Sequence, residues 1–241
     1  MCNSSNLFTL DHDMVERIIV GPLYTNAYIV STGKKECIVI DPGDEAEKLC
    51  TRLESLNLVP QAILCTHGHL DHTSAAVEIQ RHYQHERDHH IPIGIHAEDA
   101  EFFGDDAERR HQDCFLPLGD NATRVFEQLR PGIARADFEI AVGEPLLDSD
   151  LVAFATPGHT PGSVSFYSET RGIVWSGDTL LFKSVGRTDL NGGSGDELLR
   201  SISSVLYSLP AETRLFPGHG PFSSIEREKL NNPLLEGERT F

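Results

Sequence analysis

Thiols, tryptophan and positive charge are all scarce in this sequence of 241 residues. The five cysteines, Cys2, Cys37, Cys50, Cys65 and Cys114, are odd in number and never spaced as Cys-x-x-Cys. That argues against a disulfide framework and against a cysteine-based zinc knuckle. Cys37 and Cys65 sit in apolar runs, where a thiol packs as a small hydrophobe, so a reducing, cytoplasmic setting is expected. Only 20 basic residues face 37 acidic ones, a formal net charge of −17. Nucleic acid is thereby disfavoured as a partner, because phosphate binding needs clustered Lys and Arg, and an acidic membrane surface is disfavoured for the same reason. Long hydrophobic runs are missing as well. Apolar runs such as Ala62 to Cys65 and Gly172 to Trp175 are far below the roughly 20 residues of a membrane-spanning helix. Met1 to Asp13 carries Asp11 and Asp13 and shows neither a basic leader nor an apolar core, so no secretory signal is expected.

What remains is the composition of a folded globular chain, 39% apolar with 20 glycines. Short β-branched runs bounded by Gly and Pro predict strands at Ala27 to Val30, Cys37 to Ile40, Ala62 to Cys65, Ile91 to Ile95, Leu151 to Ala155, Val164 to Tyr167, Ile173 to Trp175 and Arg214 to Phe216. Helical patterns fall between several of them: Asp44 to Leu56, Thr73 to His85, Ala97 to Phe103 and Asp196 to Leu209. The last shows a stripe of Leu198, Leu199, Ile202, Val205 and Leu206. Strands alternate with helices and composition does not break, so a single α/β domain over residues 1–241 is expected. Gly104 to Phe138 has no clear period and reads as a surface excursion. The histidine-rich run His82 to His90 reads as a solvated helix end and loop.

The densest chemistry lies in Thr66-His67-Gly68-His69-Leu70-Asp71-His72, directly after an apolar strand. At a strand end, His67 and His69 are two apart and leave on one side. Asp71 and His72 fall where a helix should begin and leave in another direction, which suits two adjacent metal positions better than one. Imidazole and carboxylate donors without thiolate fit zinc, iron or manganese in a catalytic setting. Three further candidates each follow an apolar strand: His159 in Pro157-Gly158-His159, Asp178 in Gly177-Asp178-Thr179, and His219 in Pro217-Gly218-His219. A Gly before each of them permits the tight turns that aim a side chain back over strand ends. His12, His82, His85, His89, His90, His96 and His111 lack such a context and read as solvated or structural.

The His-x-His-x-Asp-His motif with its later His, Asp and His resembles the metallo-β-lactamase superfamily. Val39-Ile40-Asp41-Pro42-Gly43, Gly177 to Phe182, Gly186-Arg187-Thr188-Asp189, Pro217 to Pro221 and Asn232-Pro233-Leu234-Leu235 are similar to its glyoxalase II-like hydrolases, over about Ile18 to Leu235. The resemblance is to a compact single-domain type. The helical C-terminal domain with which two-domain glyoxalase II grips glutathione has no counterpart in the 22 residues after His219. Asn191 stands where that family more often has a proline before Gly-Gly.

The resemblance implies an α/β fold of the αββα type, a sandwich of two mixed β-sheets flanked by helices, and two divalent metal ions, zinc first among zinc, iron and manganese. It implies that His67, His69 and His159 hold one ion, that Asp71, His72 and His219 hold the other, and that Asp178 bridges both. The implied activity is hydrolysis of a small-molecule thioester, S-acylglutathione-like, by a metal-bound hydroxide that Asp71 orients, with Arg187 meeting the thiol portion of the substrate. Persulfide dioxygenases of the same superfamily offer an alternative, with one iron on His67, His159 and Asp178. A non-enzymatic interaction domain with a structural metal site is a third reading, and a nuclease is opposed by the acidity and by the lack of room for an added nucleic-acid domain.

Overall fold

A computed structural model describes residues 6–10, 13–33 and 35–238. Cys2, Asp11 and His12 lie outside the described residues. By its internal contacts the chain divides into two compact units, one taking the residues up to Ile95 with Ala100–Glu139, the other His96–Asp99 with the residues from Ile140 on.

The first unit is built on a seven-stranded sheet in chain order: β1 (Asn6–Leu10), β2 (Asp13–Val20), β3 (Thr25–Gly33), β4 (Glu36–Ile40), β5 (Val59–Leu64), β6 (Ile93–Ile95) and β7 (Phe138–Glu139). The strands from β1 to β4 pair antiparallel through short connections, and those from β4 to β7 pair parallel. Parallel neighbours need crossovers of a dozen residues or more. These are α1 (Ala46–Ser55), then α2 (Leu70–Thr73) with α3 (Ala76–Arg87), then a 3-10 helix (Ala97–Phe102) with α4 (Ala107–Phe115) and α5 (Asp120–Leu129). Leu49 and Leu53 of α1 and Ile79 and Tyr83 of α3 close over Ile29, Val39, Ile63 and Ile93 as one core. The β4 residues Cys37, Ile38, Val39 and Ile40 are buried without alternation, as expected of a strand covered on both faces. The region from Gly104 to Phe138, expected as an excursion without clear period, holds two helices that bury His111, Cys114, Phe126 and Leu129.

The second unit carries a five-stranded sheet ordered β14-β13-β10-β9-β8: β8 (Leu151–Ala155), β9 (Val164–Ser168), β10 (Ile173–Gly177), β13 (Arg214–Pro217) and β14 (Ser223–Ser224). A separate hairpin of β11 (Leu180–Leu181) and β12 (Ser184–Val185) follows β10, then come α6 (Gly195–Ser204) and, after β14, α7 (Ile225–Asn231). Leu198, Ile202 and Leu206 of the expected stripe are buried with Val174, Leu215 and Ile225. β9 is antiparallel to both β8 and β10, and β13 is parallel to β10. Consequently β8, β10 and β13 run the same way and end at one edge of the sheet. That edge matters because each of the three strands is followed by a candidate ligand. Among the described residues no helix is long and apolar enough to cross a membrane.

Candidate metal centre

In the first unit the chain leaves β5 through Cys65, whose N–H bonds the Gly94 carbonyl at 3.0 Å, and turns into α2. His67, His69, Asp71 and His72 all lie on this turn. The His67 and His72 ring centroids are 4.2 Å apart, those of His67 and His69 4.8 Å, and His72 Nε2 stands 3.7 Å from Asp71 Oδ2. Space for the turn comes from glycines: a Cβ on Gly43 would fall 1.7 Å from the Asp71 carbonyl oxygen, and one on Gly68 2.3 Å from the Phe102 ring. Phe102 also meets His69 edge-on at 5.5 Å.

Asp41, at the end of β4, organises the turn. Its Oδ1 accepts the Thr66 N–H at 2.7 Å, and its Oδ2 accepts the Thr66 hydroxyl at 2.7 Å and lies 2.9 Å from His72 Nδ1. A carboxylate can only accept, so His72 carries its proton on Nδ1 and presents Nε2 as the lone-pair nitrogen. The same logic applies to His67. With the Thr66 proton given to Asp41, the Thr66 oxygen accepts from His67 Nδ1 at 3.1 Å, again leaving Nε2 as the lone-pair nitrogen. Such outer hydrogen bonds fix tautomer and ring orientation in metal sites. Asp41 and Thr66 both stand inside the motifs quoted above, where neither carries a role. The available signal was a carboxylate followed by Pro-Gly at the end of a buried strand.

In the second unit His159 follows β8, Asp178 follows β10 and His219 follows β13, all at the shared edge. Asp178 Oδ2 is 3.7 Å from His159 Nε2 and 3.5 Å from His219 Nε2. His159 Nδ1 donates to the Arg187 carbonyl at 2.8 Å, so this imidazole too presents Nε2. Gly158 and Gly177 adopt positive φ, and a Cβ on Gly158 would fall 2.3 Å from the Leu198 nitrogen. The hairpin that carries Arg187 past this point is held by α7 and its C-cap: the Glu228 carboxylate accepts the Lys183 N–H at 2.7 Å, and the amide of Asn232, just after α7, donates to the Ser184 carbonyl at 3.0 Å. Arg187 itself is exposed and forms a two-point pair with Asp189, at 2.7 and 2.8 Å. That pairing raises the Arg187 pKa and holds the Asp189 carboxyl at about 2.

Among the described residues, the other histidines have separate partners. His82 meets Glu54, His85 meets Glu86 and His90 meets Asp137, all near the surface. His96 accepts the Glu98 N–H at 3.4 Å, and His111 is wholly buried, with its Nε2 bonded to the Phe102 carbonyl at 2.9 Å. Cys37, Cys50, Cys65 and Cys114 are reduced and buried. Burial pushes the Cys37 and Cys65 thiols well up and Cys50 up to about 11, which suits packing and not nucleophilic attack.

Two sheets with helical crossovers, and histidines and carboxylates gathered at strand ends, define an α/β protein of the metal-dependent hydrolase class. Residues 20–219 match the family model of the metallo-β-lactamase superfamily. The chain belongs to that superfamily and has its fold. It is 31% identical over 230 residues to the hydroxyacylglutathione hydrolase GloC of Haemophilus influenzae, covering 93% of this chain and 99% of that protein. Among solved structures, the B3 metallo-β-lactamase BLEG-1 is 34% identical, with a TM-score of 0.77 and coverage of 93% of this chain and 100% of that one. TTHA1623 in a di-iron-bound form is 35% identical, with a TM-score of 0.65 and coverage of 91% and 99%.

Proposed function

We propose that this protein is a metal-dependent thioester hydrolase acting on a small S-acylglutathione-like substrate, its two units working as one domain over residues 1–241. The observation that carries the proposal is the Asp178 carboxylate, set beside both His159 and His219, imidazoles that belong to different ligand sets. In this reading His67, His69 and His159 hold one divalent ion, Asp71, His72 and His219 hold the other, and Asp178 touches both. The donors suit such a pair. His67, His72 and His159 are held through Nδ1 so that Nε2 is offered, and a donor set of imidazole and carboxylate fits zinc, which we place first, as well as iron or manganese. The di-iron form of TTHA1623 supports two metals, and the name of the Haemophilus influenzae relative supports the substrate class.

Bound divalent metals supply a water acidified to near neutrality and a Lewis acid for the substrate carbonyl. Asp71, in the first turn of α2, would orient that water by accepting its hydrogen bond. A thiolate leaves without strong acid catalysis, so no dedicated proton donor is needed. Arg187 and Lys183 supply the local positive charge that a chain of net charge −17 otherwise lacks for an anionic thiol conjugate. The buried, reduced thiols are consistent with a cytoplasmic setting.

Elemental analysis beside a turnover panel tests the proposal. The panel comprises small thioesters, a β-lactam and glutathione persulfide with oxygen uptake recorded. About two metals per chain and thioester turnover are expected. One iron with oxygen consumption on the persulfide would replace the hydrolase with a dioxygenase, and β-lactam turnover alone would replace the substrate. Asp178→Ala should weaken both metals together and abolish turnover, whereas His72→Ala should release mainly one. Near-native turnover in Asp178→Ala would remove the bridge.

A further inference from the structure

The second unit buries an acid that the proposed chemistry does not use. Asp99, fully shielded from solvent, lies in the 3-10 helix after β6 and directs its carboxylate at the turn that follows His159. Oδ2 accepts the Thr160 hydroxyl at 2.7 Å, and Oδ1 accepts the Gly162 N–H at 2.7 Å. Thr160 has a single hydroxyl proton and gives it to Asp99. The Ser163 hydroxyl, 2.7 Å away, therefore donates to the Thr160 oxygen, while Ser163 Oγ accepts the Thr160 N–H at 3.1 Å. The approach is close enough that a Cβ on Gly162 would fall 2.5 Å from the Asp99 nitrogen. On the other side of His159, the Gly158 N–H bonds the Thr160 carbonyl at 3.0 Å. Both chain neighbours of His159 are thus tied into a network that ends on one buried carboxylate.

We infer that Asp99 is a positioning residue that fixes the His159 turn and so sets the affinity of the metal position His159 serves, an inference that rests on the assignment of His159 as a ligand. The geometry calls for a group that accepts at two points and donates at none. An alanine leaves the Thr160 hydroxyl and the Gly162 N–H buried without their acceptor. An asparagine keeps the shape and one acceptor but turns a donor toward the second position, so it should restore part of the function.

Zinc affinities of the full-length protein, measured by chelator competition, test this in wild type, Asp99→Asn, Asp99→Ala, Thr160→Val and His159→Ala. Cobalt(II) spectra report the coordination number, and circular dichroism reports folding. Asp99→Ala should weaken one of the two metals by roughly 10–100-fold, the scale typical of lost outer hydrogen bonds, and leave the other unchanged. Asp99→Asn and Thr160→Val should fall between Asp99→Ala and wild type. If Asp99→Ala does not fold, those two variants decide. Wild-type affinity for both metals in folded Asp99 and Thr160 variants would overturn the inference, as would equal weakening of both metals. If His159→Ala loses a metal while the Asp99 variants keep both, only the role of Asp99 falls. If His159→Ala keeps both metals, the ligand assignment falls and takes this role with it.

Discussion

Arg187 makes two contacts with two parts of one residue. Its backbone carbonyl accepts from His159 Nδ1, and its guanidinium is engaged by Asp189. Truncating the side chain removes the cation and keeps the carbonyl, so metal binding and substrate binding can be tested apart. An exposed Arg–Asp pair is close to neutral for stability. A cation meeting a substrate carboxylate is worth roughly 1.5–3 kcal/mol, since hydrogen bonds to charged groups are the strong ones. Arg187→Ala should therefore raise KM for an anionic thioester about 10- to 150-fold and leave a neutral thioester and the metal content nearly unchanged. Steady-state kinetics on both substrates check it, and equal effects on the two would assign Arg187 to the surface pair alone.

At the scale of elements, α4 shows how a helix escapes sequence reading. Its buried face is Ala107, His111, Cys114 and Phe115, a helical spacing written half in residues that count as polar or ambiguous. In α5 only Phe126 and Leu129 are buried, too few to declare a period. The strand β2 was hidden for a related reason: Glu16 interrupts its apolar pattern yet is buried, because Arg52 of α1 reaches it at 2.8 Å. By contrast β4, β5, β8, β9, β10 and β13 were legible as apolar runs between glycines and prolines. The histidines and carboxylates that follow these strands stand out in the sequence as candidates, because donor residues at strand ends are conspicuous. Asp41, Thr66 and Asp99 were not, since a residue acting through another is recognised only when tertiary contacts bring the two together.

Burial of His111 also predicts a pH dependence. Desolvation lowers its pKa from 6.5 to about 4, against the opposing pull of the Phe102 carbonyl and Asp71. The unfolded chain then binds the extra proton first as pH falls, so this contribution is complete above pH 6.5 and is lost toward pH 4. Its full size is on the order of 3 kcal/mol. His111→Gln, which can still donate to the Phe102 carbonyl, should flatten the loss of thermal stability in that window relative to wild type. Parallel slopes for the two proteins would refute it.

For the whole molecule, the net charge of −17 sets the long-range field. It would repel an anionic substrate of the proposed kind, and salt screens such repulsion over a Debye length of about 10 Å at 0.1 M. Raising ionic strength from about 0.02 to 0.2 M should therefore lower KM for an anionic thioester and leave a neutral one unaffected. A rise in KM would mean that local cations dominate at every distance.

The two groups of donors also differ in how far apart they lie along the chain. His67, His69, Asp71 and His72 share one strand-to-helix turn, whereas His159, Asp178 and His219 meet only once β8, β10 and β13 have found their places in the sheet. Local contacts form early in folding and distant ones late. During refolding, a scavenged ion would first meet a short, early handhold and be secured only afterwards. With the ligands as proposed, chain connectivity would offer an incoming ion the first group before the second.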